Sequence, residues 1–244
     1  WDDVKKNKFF VNIYFIKSLN LVPQKIDFVI VSSISSVRAN IIKKVISNTF
    51  VKYWILEKVL AQNENQIRLI ESLIKNSEGA WVNTPRREMK WYQEIKSKII
   101  KNEMIKVEIN GGKWGLLSNT IHFIDLISWF TNNDLIEIDS SLLNDNWFES
   151  KRPGFYETYG CISCTFENGS TINICCDDND APLIINIHEK KYFWKIIESE
   201  GNATRSDGLI IKGNIEMQSE ITHKIISKII EKGDCSLPKL NQSA

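Results

Sequence analysis

The first half of the chain alternates short apolar runs with segments whose apolar residues recur at helical spacing. Residues 25–31 form a continuous run rich in β-branched side chains, which is typical of a parallel strand buried on both faces. The other elements predicted here are a helix over 37–48, a strand over 52–56, a helix capped by Asn63 or Asn65, and a strand over 80–82. This order predicts a parallel sheet with right-handed crossovers.

From Arg86 onward the pattern changes to short alternating segments joined by turns. The predicted elements are a helix over 86–100, a strand over 104–109, a turn at Asn110-Gly111-Gly112, an apolar helix over 119–130, strands over 135–138, 158–166, 170–176, 182–188 and 192–197, and a last helix over 217–232. Successive strands joined by turns favour an open, mostly antiparallel sheet with helices on one face. We therefore expect an α/β unit over 1–83 and a larger α+β unit over 84–244.

Charge and hydropathy exclude several classes of partner. With 31 Lys+Arg against 30 Asp+Glu, the formal net charge is +1, so no broad cationic surface is available for nucleic acid or an acidic membrane. No apolar stretch approaches the roughly 20 residues of a membrane span. Residues 1–6 lack the cationic-then-apolar order of a secretion signal. We expect a cytoplasmic protein with neither nucleic-acid nor membrane partners.

The five cysteines do not form the pattern of a disulfide framework. Cys161 and Cys164 precede Cys175 and Cys176, an order that could suggest a metal site. Both pairs fall within predicted strands, where the two members of each pair face opposite sides of the sheet. We expect buried, reduced thiols and no metal site.

The first candidate site is Glu57-Lys58, at the end of the second predicted strand. Ligands of open parallel sheets bind outside the carboxyl ends of the strands, and Ser32-Ser33 follows the neighbouring strand at that same edge. A lysine there can bind a substrate hydroxyl or a cofactor ribose, and burial would lower its pKa toward a role in proton transfer. The alternative is a surface ion pair, which the spacing alone favours.

The second candidate site lies on the most apolar helix. Ser118, His122 and Asp125 recur at i, i+4 and i+7 and therefore share one helix face, where Asp125 could orient the imidazole. A histidine satisfied within the core is the alternative. The preceding Gly111–Gly115 segment, which contains Trp114, either lets backbone approach a ligand or forms a simple turn.

Arg86-Arg87 could bind a phosphate or carboxylate, although a solvated helix start is the commoner explanation for such a pair. The chain contains no Ser nucleophile elbow, no Walker loop and no His-Glu-x-x-His motif. A metal hydrolase would need clustered His and carboxylate ligands, which the sequence does not provide.

Taken together, these segments resemble the Gfo/Idh/MocA oxidoreductases, of glucose–fructose oxidoreductase and inositol dehydrogenase type. The resemblance runs from about residue 25 to the end and is carried by residues 26–33, residues 54–61, Gly111-Gly112 and residues 121–126. It implies an incomplete Rossmann-like domain followed by an α+β domain that binds substrate and forms a homo-oligomer through its open sheet. It also implies NAD or NADP as the cofactor, and a sugar, polyol or nucleotide-sugar as the substrate.

The resemblance also implies roles for individual residues. Lys58 and His122 would handle the hydroxyl proton while hydride passes between carbon and nicotinamide, with Asp125 supporting His122. The residues expected on the cofactor side are Ser32, Ser33, Arg38, Glu57 and Lys58. Those expected on the substrate side are Arg87, Trp114, Ser118 and Asn119.

The chain departs from the family pattern at several positions. It has no Gly-rich turn for the pyrophosphate, Val59 replaces the motif proline, Ser118 stands where an aspartate is usual, and Arg38 where a histidine is expected. Two explanations stay open, an N-terminally incomplete piece of a longer enzyme or a degenerate member. The alternative function is a non-catalytic sugar-binding or scaffolding protein.

Overall fold

A computed structural model describes residues 16–243; the N-terminal residues used above for the cytoplasmic expectation lie outside this range. The first unit contains β1 (Lys25–Val31), α1 (Ser35–Ile46), β2 (Phe50–Glu57), α2 (Glu64–Ile74) and β3 (Gly79–Asn83). Its three strands form a parallel sheet in the order β1-β2-β3. The predicted strand–helix alternation is confirmed.

Strand β1 differs from the expectation of a strand buried on both faces. Among the described residues it is an edge strand, paired to β2 alone, and Ile30 on it is 42% exposed. Its apolar run therefore has fewer neighbours than the composition predicts, because burial of a strand depends on what lies on either side of it.

The second unit begins with a 3₁₀ turn (Pro85–Glu88). It continues with α3 (Lys90–Lys98), β4 (Lys106–Gly112), α4 (Leu116–Thr131), β5 (Leu135–Glu149), β6 (Tyr156–Phe166), β7 (Thr171–Asp177), β8 (Ile184–His188), β9 (Phe193–Ile197), β10 (Asn202–Arg205), β11 (Ile210–Lys212), α5 (Gln218–Lys232) and α6 (Leu240–Ser243). The strands form one eight-stranded sheet, β11-β10-β9-β8-β4-β7-β6-β5, in which only β4 and β7 pair in parallel. The predicted fold class, an α/β unit followed by an α+β unit with an open, mostly antiparallel sheet, is confirmed.

Two predicted boundaries are wrong. The helix expected over 86–100 is interrupted at Met89, whose extended backbone separates the 3₁₀ turn from α3. The turn expected at Asn110-Gly111-Gly112 is the end of β4, where added Cβ atoms would lie 2.9 Å from the Leu183 backbone at Gly111 and 2.0 Å from the Asn179 backbone at Gly112. These glycines permit close backbone approach within the sheet.

The expectation of reduced thiols is wrong for one pair of cysteines. Cys161 on β6 lies directly opposite Cys175 on β7, and the two form a disulfide with a Cα–Cα distance of 4.2 Å. Cys164 and Cys176 are free and buried on the other face of the sheet. The prediction that the two cysteines of each strand face opposite sides of the sheet is therefore correct. Positions 161 and 175 are brought together by the register between β6 and β7, and this register cannot be predicted from the spacing of the cysteines.

The two units share a core. One face of the first sheet contributes Tyr53, Ile55 and Trp81 to the large apolar cluster built on α4 and the second sheet. Leu240 in α6 packs into the smaller cluster between the first sheet and its helices. The chain therefore returns to the first unit at its end, and the domain boundary expected at residue 83 stays a prediction. None of the helices within residues 16–243 has the length and apolar character needed to cross a bilayer.

Candidate active site

Lys58 lies just past the C-terminal end of β2 and reaches the second unit. Its Nζ donates hydrogen bonds to the Ser118 carbonyl oxygen at 2.8 Å and to Asn119 Oδ1 at 2.7 Å, both on the first turns of α4. The peptide bond between Lys58 and Val59 is cis. Burial lowers the pKa of Lys58, with the charges of Arg86 and Arg152 acting in the same direction and that of Glu57 opposing them. Three predicted site residues, Lys58, Ser118 and Asn119, thus meet at one point.

His122 follows Ser118 by one turn of α4 and therefore shares its side of the helix. Its Nδ1 is buried and has no hydrogen-bond partner among the described residues. Burial, together with the neighbouring positive charges of Arg86 and Lys58, lowers the pKa of His122 to about 2. The imidazole is therefore neutral at physiological pH and lies within the electrostatic range of Lys58.

Asp125 does not support His122, and that prediction is wrong. Its carboxylate forms a buried ion pair with Arg87, with Nη2–Oδ1 at 2.6 Å and Nε–Oδ2 at 2.9 Å. Burial raises the pKa of Asp125, and the Arg87 charge acts against that rise. Arg87 is 8% exposed and also donates to the Asp125 carbonyl, so its guanidinium is engaged within the protein and not presented to a substrate. The ion pair joins the 3₁₀ turn to α4.

Arg86 is not part of a solvated helix start. Its guanidinium makes two hydrogen bonds to Glu198, at 2.8 and 2.9 Å, and stacks 4.6 Å from the centre of the Phe123 ring. The hydroxyl of Tyr92 also donates to Glu198. This buried cluster sets a fixed positive charge next to His122, a role that sequence analysis missed because Glu198 lies 112 residues away.

The residues expected on the cofactor side surround the ends of β1 and β2. Ser32 is exposed, whereas the Ser33 hydroxyl is buried without a hydrogen-bond partner among the described residues. Glu57 accepts a hydrogen bond from the Asn83 side chain at 2.5 Å. Arg38 is fully buried and donates to the carbonyls of Ser33, Val59 and Leu60, so it ties the two strand-end loops together. The cofactor contact expected of Arg38 has no exposed surface to support it.

Trp114 lies in the loop that precedes α4. Its indole Nε1 donates to the Cys175 carbonyl at 3.2 Å, and its ring meets Phe123 edge-on at 5.6 Å. The Asn119 amide nitrogen donates to the Trp114 carbonyl at 2.8 Å. Asn119 therefore links Trp114 to Lys58, and the loop before α4 is held against the lysine.

Glu157, near the start of β6, is a site residue that the sequence analysis missed. It is 6% exposed, and its carboxylate accepts hydrogen bonds from the backbone N–H groups of Leu117 (2.8 Å) and Ser118 (3.1 Å). No periodicity marks this residue, because its burial comes from α4 covering the strand end and not from the strand's own alternation.

A cavity of about 230 Å³ opens beside Lys58, at the junction of the two units. Its walls are mainly apolar and come from the loop after β2, from α2 and β3, and from α4; Leu60, Ile67, Val82, Leu117 and Ile121 are among them. The site therefore combines a lysine with a lowered pKa, a neutral histidine on the adjoining helix and a mainly apolar cavity beside the lysine.

Comparisons with known proteins define the class of fold. No protein-family model matches the chain, and no curated protein matches its sequence. Solved structures do match, at low identity, and the fold is that of the Gfo/Idh/MocA type, as the resemblance implied. Identities between 8% and 18% establish the shared architecture.

Three of these structures illustrate the range of identity and structural similarity. A super-repressor mutant of Gal80p from Saccharomyces cerevisiae superposes with a TM-score of 0.73 at 14% identity, covering 99% of this chain and 81% of that one. UDP-N-acetylglucosamine 3-dehydrogenase GnnA from Acidithiobacillus ferrooxidans gives 0.67 at 8% identity, and dehydrogenase MviM from Clostridium difficile gives 0.61 at 18%. The last two matches each cover 89% of this chain and 74% of the other.

Proposed function

We propose that the chain is an oxidoreductase that transfers a hydride between a nicotinamide cofactor and a hydroxyl or keto carbon of a sugar, polyol or nucleotide-sugar. The observation that carries this proposal is the meeting of Lys58, from the end of a parallel strand, with α4 one turn before His122. Dehydrogenases share the fold, and one of them is named for a nucleotide-sugar substrate.

The residues at the strand ends fit the nicotinamide end of NAD or NADP. Ser32 offers an exposed hydroxyl and Ser33 a buried hydroxyl that lacks a partner among the described residues, and Lys58 follows the end of the neighbouring strand β2. The sequence has no matching Gly-rich turn for the pyrophosphate, since its first glycine is Gly79. Titration with NADH and with NADPH decides which of the two cofactors the chain binds.

Lys58 is the proposed proton acceptor in alcohol oxidation. Burial lowers its pKa, which raises the fraction of neutral amine able to take the hydroxyl proton while hydride leaves the carbon. A bound nicotinamide would accept that hydride at its ring. His122 stays neutral over the working pH range and orients the same hydroxyl through a hydrogen bond.

Replacing Lys58 with methionine tests this assignment. NADH and NADPH are titrated into the full chain by fluorescence, and turnover is measured on a panel of sugars and nucleotide-sugars. We expect Lys58→Met to reduce kcat by about 10²- to 10⁴-fold, because the proton acceptor is lost. Lys52→Met is the matched control, since Lys52 lies near the start of β2, the strand that Lys58 follows, and pairs with Glu78. Unchanged turnover in Lys58→Met would remove this lysine from the mechanism.

A non-catalytic binding protein is the second candidate function. It is favoured by Val59 in place of the motif proline and by the ion pair in which Arg87 binds the carboxylate of Asp125. A super-repressor mutant of Gal80p, described by repression and not by catalysis, has the same fold. Failure of the full chain to bind either nucleotide, together with calorimetric binding of a sugar, would favour this candidate over the enzyme.

A further inference from the structure

Helix α4 begins without a capping side chain of its own. Its N-cap is Gly115, in the left-handed conformation with φ of 78°, and its first turn contains no acidic residue. The free N–H groups at a helix start need acceptors, and an anion there interacts favourably with the helix dipole. For α4 this acceptor is the Glu157 carboxylate, which comes from a strand 40 residues further along the chain.

Glu157 and Lys58 both form hydrogen bonds with the backbone of Ser118, one with its N–H group and the other with its carbonyl group. Ser118 donates its backbone N–H to Glu157 Oε1 at 3.1 Å and accepts from Lys58 Nζ at its carbonyl, at 2.8 Å. Asn119, the next residue, gives Lys58 its second contact. A displacement of the first turn of α4 would therefore move both acceptors of the lysine at once.

The glycine that precedes α4 is in contact with this carboxylate. A Cβ atom added to Gly115 would lie 3.4 Å from Glu157 Oε1, an ordinary van der Waals contact, and 3.0 Å from the Ser118 hydroxyl. The left-handed backbone at position 115 is the reason that glycine is favoured there. The charged groups around Lys58 are Glu57 and Glu157, which are negative, and Arg86 and Arg152, which are positive; Glu57 acts on the lysine more strongly than Glu157.

We propose that Glu157 is a positioning residue for Lys58: by binding the N–H groups of Leu117 and Ser118, it holds the two acceptors of the lysine in place. This proposal deepens the proposed function and rests on it for its catalytic meaning. It also makes a claim about Lys58 that holds whether or not the chain turns over a substrate.

The test is a titration of Lys58 followed by NMR in protein labelled with ¹⁵N-lysine. We expect Glu157→Gln to move the Lys58 titration midpoint to lower pH than in the wild type, because a glutamine keeps the shape of the side chain but removes the negative charge. Glu149→Gln is the matched control, since Glu149 also binds a backbone N–H, that of Gly154, within the same β5–β6 hairpin. We expect this control to leave the Lys58 midpoint at its wild-type value.

Hydrogen exchange separates positioning from charge. Glu157→Gln should keep part of the protection of the Leu117 and Ser118 amides, whereas Glu157→Ala should lose it while the rest of α4 stays protected. In an active chain, kcat of Glu157→Ala should fall about 10- to 100-fold with a smaller change in KM. An unmoved Lys58 midpoint with unchanged amide protection would overturn the proposal. Absent turnover in the wild type would count against the oxidoreductase alone, since the NMR and exchange results still decide the role of Glu157.

Discussion

The imidazole of His122 is largely buried near the positive groups of Arg86 and Lys58, and its Nδ1 lacks a partner within residues 16–243. The carboxylate that could have stabilised a charged imidazole, Asp125, is bound to Arg87. Both arginines adjoin each other in sequence, yet one binds Glu198 and the other Asp125. The partner of each charged residue therefore decides whether that residue is free to act on a ligand, and the type of residue alone does not.

His122 should make the folded chain sensitive to acid. Its pKa is about 2 in the folded state against 6.5 in the unfolded chain, so between these values the unfolded chain binds the extra proton. Stability is therefore lost as the pH falls below about 6.5, by about 2 kcal/mol between pH 7.5 and 5. Urea unfolding at these two pH values should show this loss in the wild type and a smaller one in His122→Asn. The control is His223→Asn, on an exposed position of α5, which should behave like the wild type.

At the scale of elements, the local periodicity of the sequence predicts most helices and strands of this chain. The predicted strand over 25–31 matches β1, and the strand expected over 158–166 lies within β6. The predictions of elements fail where the length or burial of an element depends on the elements packed beside it. Strand β5 runs for 15 residues with three register shifts along β6, although its exposed side chains show no apolar alternation beyond residue 138.

The start of α2 allows a prediction at this scale. Of the two predicted caps, Asn63 is the one that acts, and its side chain accepts from the Gln66 backbone N–H at 3.0 Å. Asn63→Ala should lower the free energy of unfolding by about 1 kcal/mol, because that N–H loses its acceptor. Asn65→Ala, an exposed position within the same helix, is the control for chemical denaturation and should change stability much less. Equal losses in both variants would contradict the capping role of Asn63.

At the scale of the whole molecule, one face of the second sheet packs against α4, and the other face is not covered by any described helix. The uncovered side includes the disulfide between Cys161 and Cys175 and polar residues such as Ser163 and Asn173. The edge strand β5 adds exposed apolar side chains, with Ile136 62% and Leu142 64% exposed. Such a strand is a common site of association between chains.

The homo-oligomer expected through this sheet is a prediction that light scattering can test. At micromolar concentration the wild type should have a multiple of the mass of one chain. Ile136→Glu combined with Leu142→Glu should shift it toward the monomer, because both substitutions bring charge to the exposed edge. Met217→Glu is the control, since Met217 is 70% exposed but lies outside the sheet. A monomeric wild type would contradict the prediction.

The sequence by itself determined the order of the elements and the fold class of each unit, because periodicity and short motifs are local properties of the chain. The tertiary structure alone decided the partners of the charged residues. Arg87 and Asp125 are 38 residues apart, Leu117 and Glu157 are 40 apart, and Arg86 and Glu198 are 112 apart. Charged groups bind whichever opposite charge or free backbone group is brought close and shielded from water, and that choice exists only once the two sheets have packed together.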